Sequence, residues 1–177
     1  MIEETCTNYD SLPDLLPVPD QRELRNAFGR FATGVCVVTT RNKNDAPVGI
    51  TVNSFSALSL SPPLVLWCLA DTAWSRAAFE QAEYFAVNVL SAHQHEVSKN
   101  FATSRADKFS GAEWRPGIGG APLLAGTLAR FECRRSSVLV KGDHLLFVGR
   151  VERFSYDDGS PLLFSAGRYG EIAEVPG

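Results

Sequence analysis

The residues best suited to chemistry lie in one uncharged, hydroxyl-rich run, Gly49–Pro63, with the sequence GITVNSFSALSLSPP. The run carries one amide side chain, Asn53, and four serines between residues 54 and 61. Serine is a mediocre strand former, so this density between apolar segments is unusual. An uncharged polar strand face suits a ligand that has a flat ring and many hydrogen-bonding atoms. A half-exposed sheet face without a ligand is the alternative, and the residues alone leave both open.

Other catalytic templates are incomplete in this chain. Gly117–Pro122 imitates the start of a dinucleotide-binding loop, but its last position is proline and no strand is predicted before it. His95-Glu96 begins a zinc-protease motif, but Lys99 stands where the second histidine is required. His93 and His95 would point in nearly opposite directions on a helix. We therefore predict no metal site.

Helical and alternating patterns predict the elements that position the polar run. Asp20, with Glu23 three residues later, is typical of a helix N-cap and its capping partner, and the apolar face of that helix includes Phe28 and Phe31. Residues 55–60 alternate imperfectly, which predicts a bulge or a turn. Helices are predicted at residues 21–32, 72–82 and 91–101, and strands near 35–40, 48–54, 64–70, 84–90, 128–140, 144–155 and 162–165.

The elements sum to a mostly β fold with α, in which six or seven mainly antiparallel strands form a small closed barrel with about three capping helices. A chain of 177 residues is one domain's length. We predict that domain at residues 20–170, between a loose acidic tail at 1–19 and a short tail at 171–177. The glycine-rich excursion at 103–126 is long enough to be functional or to cover a partner.

Charge and composition exclude several classes of protein. Lys and Arg number 17 against 20 Asp and Glu, and the net charge of −3 argues against a nucleic-acid partner. Residues 46–70 carry no charge, but Asn53 and Pro62-Pro63 disfavour a membrane helix. The acidic beginning of the chain does not fit a signal peptide. None of the four cysteines is within four residues of another, so we expect no C-x-x-C pair and a cytoplasmic location.

Several segments resemble the flavin reductase family, the small NAD(P)H:flavin oxidoreductases that serve two-component monooxygenases. They occur in family order over roughly residues 24–170, so the match is specific. The resemblance implies an FMN-binding split β-barrel, usually a homodimer, in agreement with the predicted strands. The matching segments are Phe28–Val35 (FGRFATGV), Gly49–Pro63, Phe85–Leu90 (FAVNVL), Asp107–Phe109 (DKF), Gly142–His144 (GDH) and Gly167–Tyr169 (GRY).

The resemblance also implies which residues surround the flavin and the pyridine nucleotide. The flavin would lie along the polar run, with its phosphate near the end of the following strand. The implied residues are Thr51, Val52, Asn53 and Ser54 at the ring edge and ribityl chain; Ala57, Leu58 and Ser59, through backbone amides, at the pyrimidine edge; Leu69, Ala70, Ser75, Phe101 and Lys108 at the phosphate end; and Arg168 and Tyr169 near the dinucleotide and flavin.

Three further roles are open at this stage. In the family the Gly-Asp-His turn lies beside the nicotinamide, so His144 is the implied catalytic residue, although it could simply flank a hairpin turn. Lys108 would offset phosphate charge, or it would be a solvated loop cation. Asn88 would hold a loop beside the flavin, or serve the fold alone.

By resemblance, NADH or NADPH reduces free FMN or FAD by hydride transfer to flavin N5, and a separate oxygenase receives the reduced flavin. One alternative is a split-barrel flavoprotein that holds FMN tightly and acts on a small substrate. A second is a non-catalytic flavin-binding or haem-binding protein. Ala57-Leu58 departs from the family's usual residues, which leaves open whether the flavin is a released substrate or a fixed group.

Overall fold

The computed structural model describes residues 20–105 and 107–173. These residues form three α-helices and twelve strands, with short 3-10 turns at Ala92–Gln94 and Ile118–Gly120. The helices are α1 (Gln21–Phe28), α2 (Arg76–Gln81) and α3 (His95–Ala102). The strands are β1 (Thr33–Gly34), β2 (Cys36–Arg41), β3 (Pro47–Val52), β4 (Ser56–Leu60), β5 (Pro63–Ala70), β6 (Tyr84–Val89), β7 (Trp114–Pro116), β8 (Pro122–Leu124), β9 (Ala129–Lys141), β10 (His144–Tyr156), β11 (Leu163–Ser165) and β12 (Arg168–Gly170).

Seven strands form one antiparallel sheet in the order β3-β2-β6-β9-β10-β5-β4. In a flat sheet, six strand spacings would separate the edges β3 and β4 by about 29 Å. Only Asn53–Phe55 connects these two strands, and the chain from Val52 to Ser56 reaches about 14 Å at full extension. The sheet must therefore curl until its edges approach each other, which confirms the predicted barrel of six or seven mainly antiparallel strands, with seven observed.

Strand β2 divides the interior into two cores because successive side chains point to opposite faces. Cys36 and Val38 belong to the larger core, where Trp67 stacks on Phe147 with ring centroids 4.5 Å apart. Val37 points into a second core, which lies under α3 and includes Phe101, Leu90 and Leu124. Strand β2 is therefore buried on both faces. Because Val37 of β2 and Phe101 of α3 share the second core, α3 is fixed against the sheet that carries the polar run.

The hairpin β9–β10 is the longest feature of the sheet, with thirteen residues in each strand. Gly142 makes its turn with a φ of 60°, a conformation that favours glycine. Gly149 lies where β10 crosses the core, and a Cβ atom there would clash with the ring of Phe85. The predicted boundaries, 128–140 and 144–155, agree with the observed strands to within one residue.

The first helix differs from the prediction. It begins as expected, since the Asp20 carboxylate accepts hydrogen bonds from the amides of Arg22 and Glu23, both at 3.0 Å. It ends at Phe28 instead of residue 32, and no residue of α1 is buried. Phe28 is 70% exposed and Phe31 is 78% exposed, so the predicted apolar face does not pack on the core in this chain. The Glu23 side chain accepts from Asn26 rather than completing a capping box.

Two other local predictions are confirmed, and one helix is shorter than predicted. Ser91 and Gln94 form the expected capping box at the start of the α3 segment. The bulge expected in residues 55–60 lies at Leu58, between the Ala57 and Ser59 pairings with β5. Helix α2 is shorter than the predicted 72–82 because tight turns precede it.

No helix in the described ranges is long and apolar enough to cross a membrane. The predicted tail 1–19 and residues 174–177 lie outside the described residues, so the proposed domain limits stay a prediction.

Candidate active site

The end of β3 forms the wall of a cavity of about 200 Å³, which is reached from the protein surface. Thr51, Val52 and Asn53 line it from β3 and the following residue, and Tyr169 lines it from β12. Four of the sequence-predicted site residues therefore meet at one place. They come from segments more than a hundred residues apart in the chain, and the described part of this wall carries no charged side chain.

A short hydrogen-bonded chain fixes this wall. The Thr51 hydroxyl donates to the carbonyl oxygen of Ser98 on α3, at 2.7 Å. The Ser98 hydroxyl and the Tyr169 hydroxyl are 2.8 Å apart and share a hydrogen bond. Phe164 packs edge-on against the Tyr169 ring, with centroids 5.5 Å apart. The helix α3 thus ties the polar strand end to the C-terminal sheet and keeps the cavity between them open.

The Ser54 hydroxyl makes two hydrogen bonds within the protein, and its predicted contact to the flavin stays a prediction. This hydroxyl donates to the carbonyl oxygen of Cys68, at 3.1 Å, and accepts from the amide of the same residue, at 2.9 Å. The side chain therefore ties the β3–β4 connection to β5 at the point where the barrel closes. Its hydrogen-bonding capacity is largely used within the protein.

Strand β4 carries Ala57, Leu58 and Ser59 along the edge of the sheet. It pairs with β5 on one side only, and the bulge at Leu58 interrupts that pairing. Backbone N–H groups on the other side of an edge strand are open to a ligand. The β4 edge therefore fits the predicted contact to a ring with acceptor atoms.

The hairpin turn forms a second group of predicted residues. His144 pairs with Ala70 at the end of β5, and its Nδ1 donates to the Asp143 carboxylate at 2.7 Å. The hydrogen bond from His144 lowers the pKa of Asp143, and so does the charge of the imidazole when it is protonated. The Asp143 carbonyl oxygen also accepts from the amide of Asp71, which anchors the turn. The imidazole is held by Nδ1 and keeps Nε2 for another partner, but His144 does not line the polar cavity.

Ser75 is close in sequence to this second group, just before α2. It is 3% exposed, and its hydroxyl has no hydrogen-bond partner among the described residues. A buried hydroxyl without a partner is destabilising unless a ligand or water satisfies it. At the end of β5, Leu69 is buried and Ala70 is half-buried. The orphaned hydroxyl fits a strong acceptor such as a phosphate oxygen.

Three predicted residues serve the interior of the fold. Asn88 is fully buried, where its amide group donates to the carbonyl of Val37 and accepts from the amide of Leu124. Phe101 is also fully buried, in the second core. Lys108 is 5% exposed, so it is not a solvated loop cation.

The Lys108 ammonium group donates to the carbonyl oxygens of Gly49 and Phe101, at 3.1 and 2.9 Å. Burial lowers its pKa. These contacts clamp the start of the polar run to the C-terminal end of α3. Arg168, in contrast, is exposed on β12 beside Tyr169.

The sequence analysis did not include Ser98 or Phe164 among the candidates. Ser98 lies three residues before Phe101 on α3, and both are buried, so helical spacing alone would have placed it on the inner face. Nothing local in the sequence shows that its carbonyl and hydroxyl meet Thr51 and Tyr169. That contact depends on how the barrel folds.

A sequence model of the flavin reductase like domain matches residues 28–173. The chain belongs to this family. The match covers both the polar wall and the hairpin turn, and it confirms the resemblance drawn from the sequence. The protein is therefore an oxidoreductase of the flavin reductase kind.

Three relatives in the family show how far the similarity extends. The chain is 46% identical over 154 residues to the FMN reductase (NADH) SmoA of Agrobacterium fabrum, covering 87% of each chain. It is 43% identical over 156 residues to HsaB, a reductase subunit of a flavin-dependent monooxygenase of Mycobacterium tuberculosis, covering 86% of this chain and 83% of HsaB. The structure of the NADH:FAD oxidoreductase SgcE6 of Streptomyces globisporus, solved with NAD and FAD fragments, matches with a TM-score of 0.86, 39% identity and coverage of 91% and 98%.

Relatives in the family differ in length: the chain spans 48% of a probable flavin reductase of Rhizobium meliloti and 65% of a demethylase reductase subunit from the same organism.

The residues present suit the flavin that the family implies. The polar wall offers the Asn53 amide and the Tyr169 hydroxyl without introducing a charge, and the β4 edge offers backbone amides. The unpartnered Ser75 hydroxyl provides a buried donor. An isoalloxazine carries both donor and acceptor atoms on its polar edge, so this set matches the family's cofactor chemically.

Proposed function

We propose that the protein is the reductase component of a two-component monooxygenase, in which NADH or NADPH reduces FMN or FAD and a separate oxygenase receives the reduced flavin. The single observation that carries the proposal is the uncharged wall on which Thr51, Val52, Asn53 and Tyr169 meet. The names of the relatives support it, since SmoA is an FMN reductase using NADH and HsaB is a monooxygenase reductase subunit.

The bound flavin and pyridine nucleotide supply the redox chemistry, a hydride moving from nicotinamide C4 to flavin N5. The protein has to hold two rings face to face and exclude competing geometries. Thr51 and Tyr169 are fixed through Ser98, so the wall is rigid before a ligand arrives. The exposed amides of β4 are suited to stabilising negative charge that develops on a ring carbonyl. His144, oriented through Asp143, is proposed to contact the nicotinamide.

The wall's lining residues in ranges 20–105 and 107–173 carry no charge, and this has a functional consequence. A fixed cation would bind the anionic reduced ring tightly, because charge-assisted hydrogen bonds are about twice as strong as neutral ones. Neutral amide and hydroxyl donors stabilise the developing charge without retaining the product. This favours a flavin that leaves after reduction, as the oxygenase partner requires.

We also propose that the protein is a homodimer located in the cytoplasm. Large apolar side chains are exposed at both ends of the long hairpin: Val140 is 68% exposed, Phe154 67% and Tyr156 74%. Clusters of such residues mark association surfaces. A second chain would also bring additional residues to a site in which His144 and the polar wall do not share the same cavity. The mass in solution, measured by light scattering, tests this; a monomer at micromolar concentration contradicts it.

The proposed activity is tested with purified protein, NADH or NADPH, and excess FMN or FAD under anaerobic conditions. We expect the near-ultraviolet absorbance of the reduced nicotinamide and the visible absorbance of the oxidised flavin to fall together. If neither pyridine nucleotide is consumed with either flavin, the proposal is wrong. Binding of flavin without turnover would identify a non-catalytic carrier instead.

The fate of the flavin is tested separately by desalting the protein after loading it with FMN. We expect the flavin to separate from the protein, since it is proposed to be a substrate. One flavin retained per chain would favour a flavoprotein that keeps FMN and acts on a small substrate.

A further inference from the structure

Helix α1 covers a cavity of about 670 Å³. Its size lies within the range of small-molecule sites. Two exposed aromatic rings, Phe28 and Phe31, and two arginines, Arg25 and Arg30, line it. Neither guanidinium group has a hydrogen-bond or ion-pair partner among the residues that the structure describes. Glu23 also lines the cavity, so two cationic groups face one carboxylate.

The chemistry of this lining suits one kind of ligand. A flat heteroaromatic ring packs favourably against phenylalanine rings. A guanidinium group binds phosphate oxygens in a planar, bidentate manner. On β1, the Thr33 hydroxyl lies at the cavity, is buried and has no partner in the described ranges, so it is a further hydrogen-bonding group without an assigned role. An adenine ring joined to a diphosphate has each of these complementary features.

The α1 cavity lies next to the polar wall. Asn53 and Phe164 line both the α1 cavity and the smaller cavity formed by Thr51 and Tyr169. A dinucleotide with its redox ring on the wall can therefore extend its other end under α1. We propose that the α1 cavity binds the adenosine diphosphate end of a dinucleotide substrate. This inference rests on the proposed function, and both NADH and FAD carry the same adenosine diphosphate group.

The arginines provide the test. The double variant Arg25→Gln/Arg30→Gln removes both charges but keeps hydrogen-bonding side chains of similar length. Arg22→Gln is the matched control, because Arg22 is an exposed arginine of the same helix that does not line the cavity. None of the three substituted residues belongs to the core, so both variants are expected to fold, which circular dichroism checks.

Truncated substrates show whether the adenosine diphosphate group that binds in the α1 cavity belongs to NADH or to FAD. With riboflavin as the acceptor, we compare NADH with reduced nicotinamide riboside, which lacks adenosine diphosphate. With reduced nicotinamide riboside as the donor, we compare FAD with riboflavin. We expect the double variant to raise the KM of the substrate that carries adenosine diphosphate roughly tenfold and to leave the truncated substrate unchanged. An effect on NADH alone assigns the cavity to the pyridine nucleotide, and an effect on FAD alone assigns it to the flavin.

Direct binding gives a readout that does not depend on turnover. ADP-ribose, titrated by calorimetry, is expected to bind the wild type and the Arg22→Gln control but to bind the double variant roughly tenfold more weakly. Equal affinity in all three proteins, or equal changes in KM for full and truncated substrates, overturns the inference. If the wild type reduces no flavin with any donor, the proposed function fails, while the ADP-ribose titration still decides whether the cavity binds this group.

Discussion

Replacing Ser54 by alanine tests whether this residue holds the barrel closed or binds the flavin. Its hydroxyl makes two hydrogen bonds to the backbone of Cys68, one as a donor and one as an acceptor. A typical intramolecular hydrogen bond contributes about 1 kcal/mol, and a buried amide left without a partner costs about 1–3 kcal/mol. Because Ser54 is half-buried, water replaces part of what is lost. We expect the free energy of unfolding to fall by about 2 kcal/mol.

The assay is urea unfolding followed by tryptophan fluorescence, with flavin KM measured on the same preparations. For a chain of this size, a loss of about 2 kcal/mol lowers Tm by roughly 4–8 °C. The KM for flavin should change less than threefold, or about 0.6 kcal/mol, because the hydroxyl is already used within the protein. Ser56→Ala is the control: Ser56 is exposed and its hydroxyl contacts only the neighbouring Ala57 carbonyl.

The opposite pattern would refute this reasoning. If Ser54→Ala left the stability unchanged and raised the flavin KM tenfold or more, Ser54 would be a direct ligand and the Cys68 contacts would be incidental. If Ser56→Ala were as destabilising as Ser54→Ala, the two hydrogen bonds would not account for the effect.

Three other predictions follow from buried or paired titratable groups. His144→Ala should raise the KM for NADH more than the KM for flavin, and equal effects would contradict its proposed position. Lys108→Met should lower the free energy of unfolding by about 2 kcal/mol, since two carbonyls lose their donor. Because burial lowers the folded-state pKa of Lys108 below its ordinary 10.5, the wild type should gain stability over this variant as pH rises through that folded-state pKa towards 10.5. An opposite trend in urea unfolding would show that the folded state favours the charged form of Lys108. Burial raises the pKa of Cys36 and of Cys133 to about 12. Iodoacetamide at neutral pH should therefore label neither thiol in the folded protein, which mass spectrometry of the peptides measures. Rapid labelling would mean that the core opens.

The long β elements could be predicted from the sequence because their information is local. The pattern of β9 and β10, with glycine at the turn, placed both strands to within a residue. The capping box of Ser91 and Gln94 could also be predicted, because its two residues are three positions apart. Helix α1 was predicted too long because Phe31 has the right spacing for a helical face, whereas the chain turns at Gly29 to reach β1.

The candidate site could be predicted only as a set of residues, not as an arrangement. The hydroxyl-rich run Gly49–Pro63 predicted the residues of the polar wall, and the resemblance to the family added Tyr169 to the candidate residues. The role of Ser98 depends on a contact with residues 47 and 71 positions away. The burial of Lys108 depends on two carbonyls that a linear pattern does not reveal. Such contacts arise when the barrel closes, and a local pattern carries no information about them.

A crystal structure of the protein soaked with FMN would be the most direct test of where the flavin lies. We predict the isoalloxazine ring against residues 51–59, with its polar edge on the β4 amides and the Tyr169 ring nearby. A flavin bound elsewhere, with Thr51 and Asn53 untouched, would contradict the assignment of this wall as the active site.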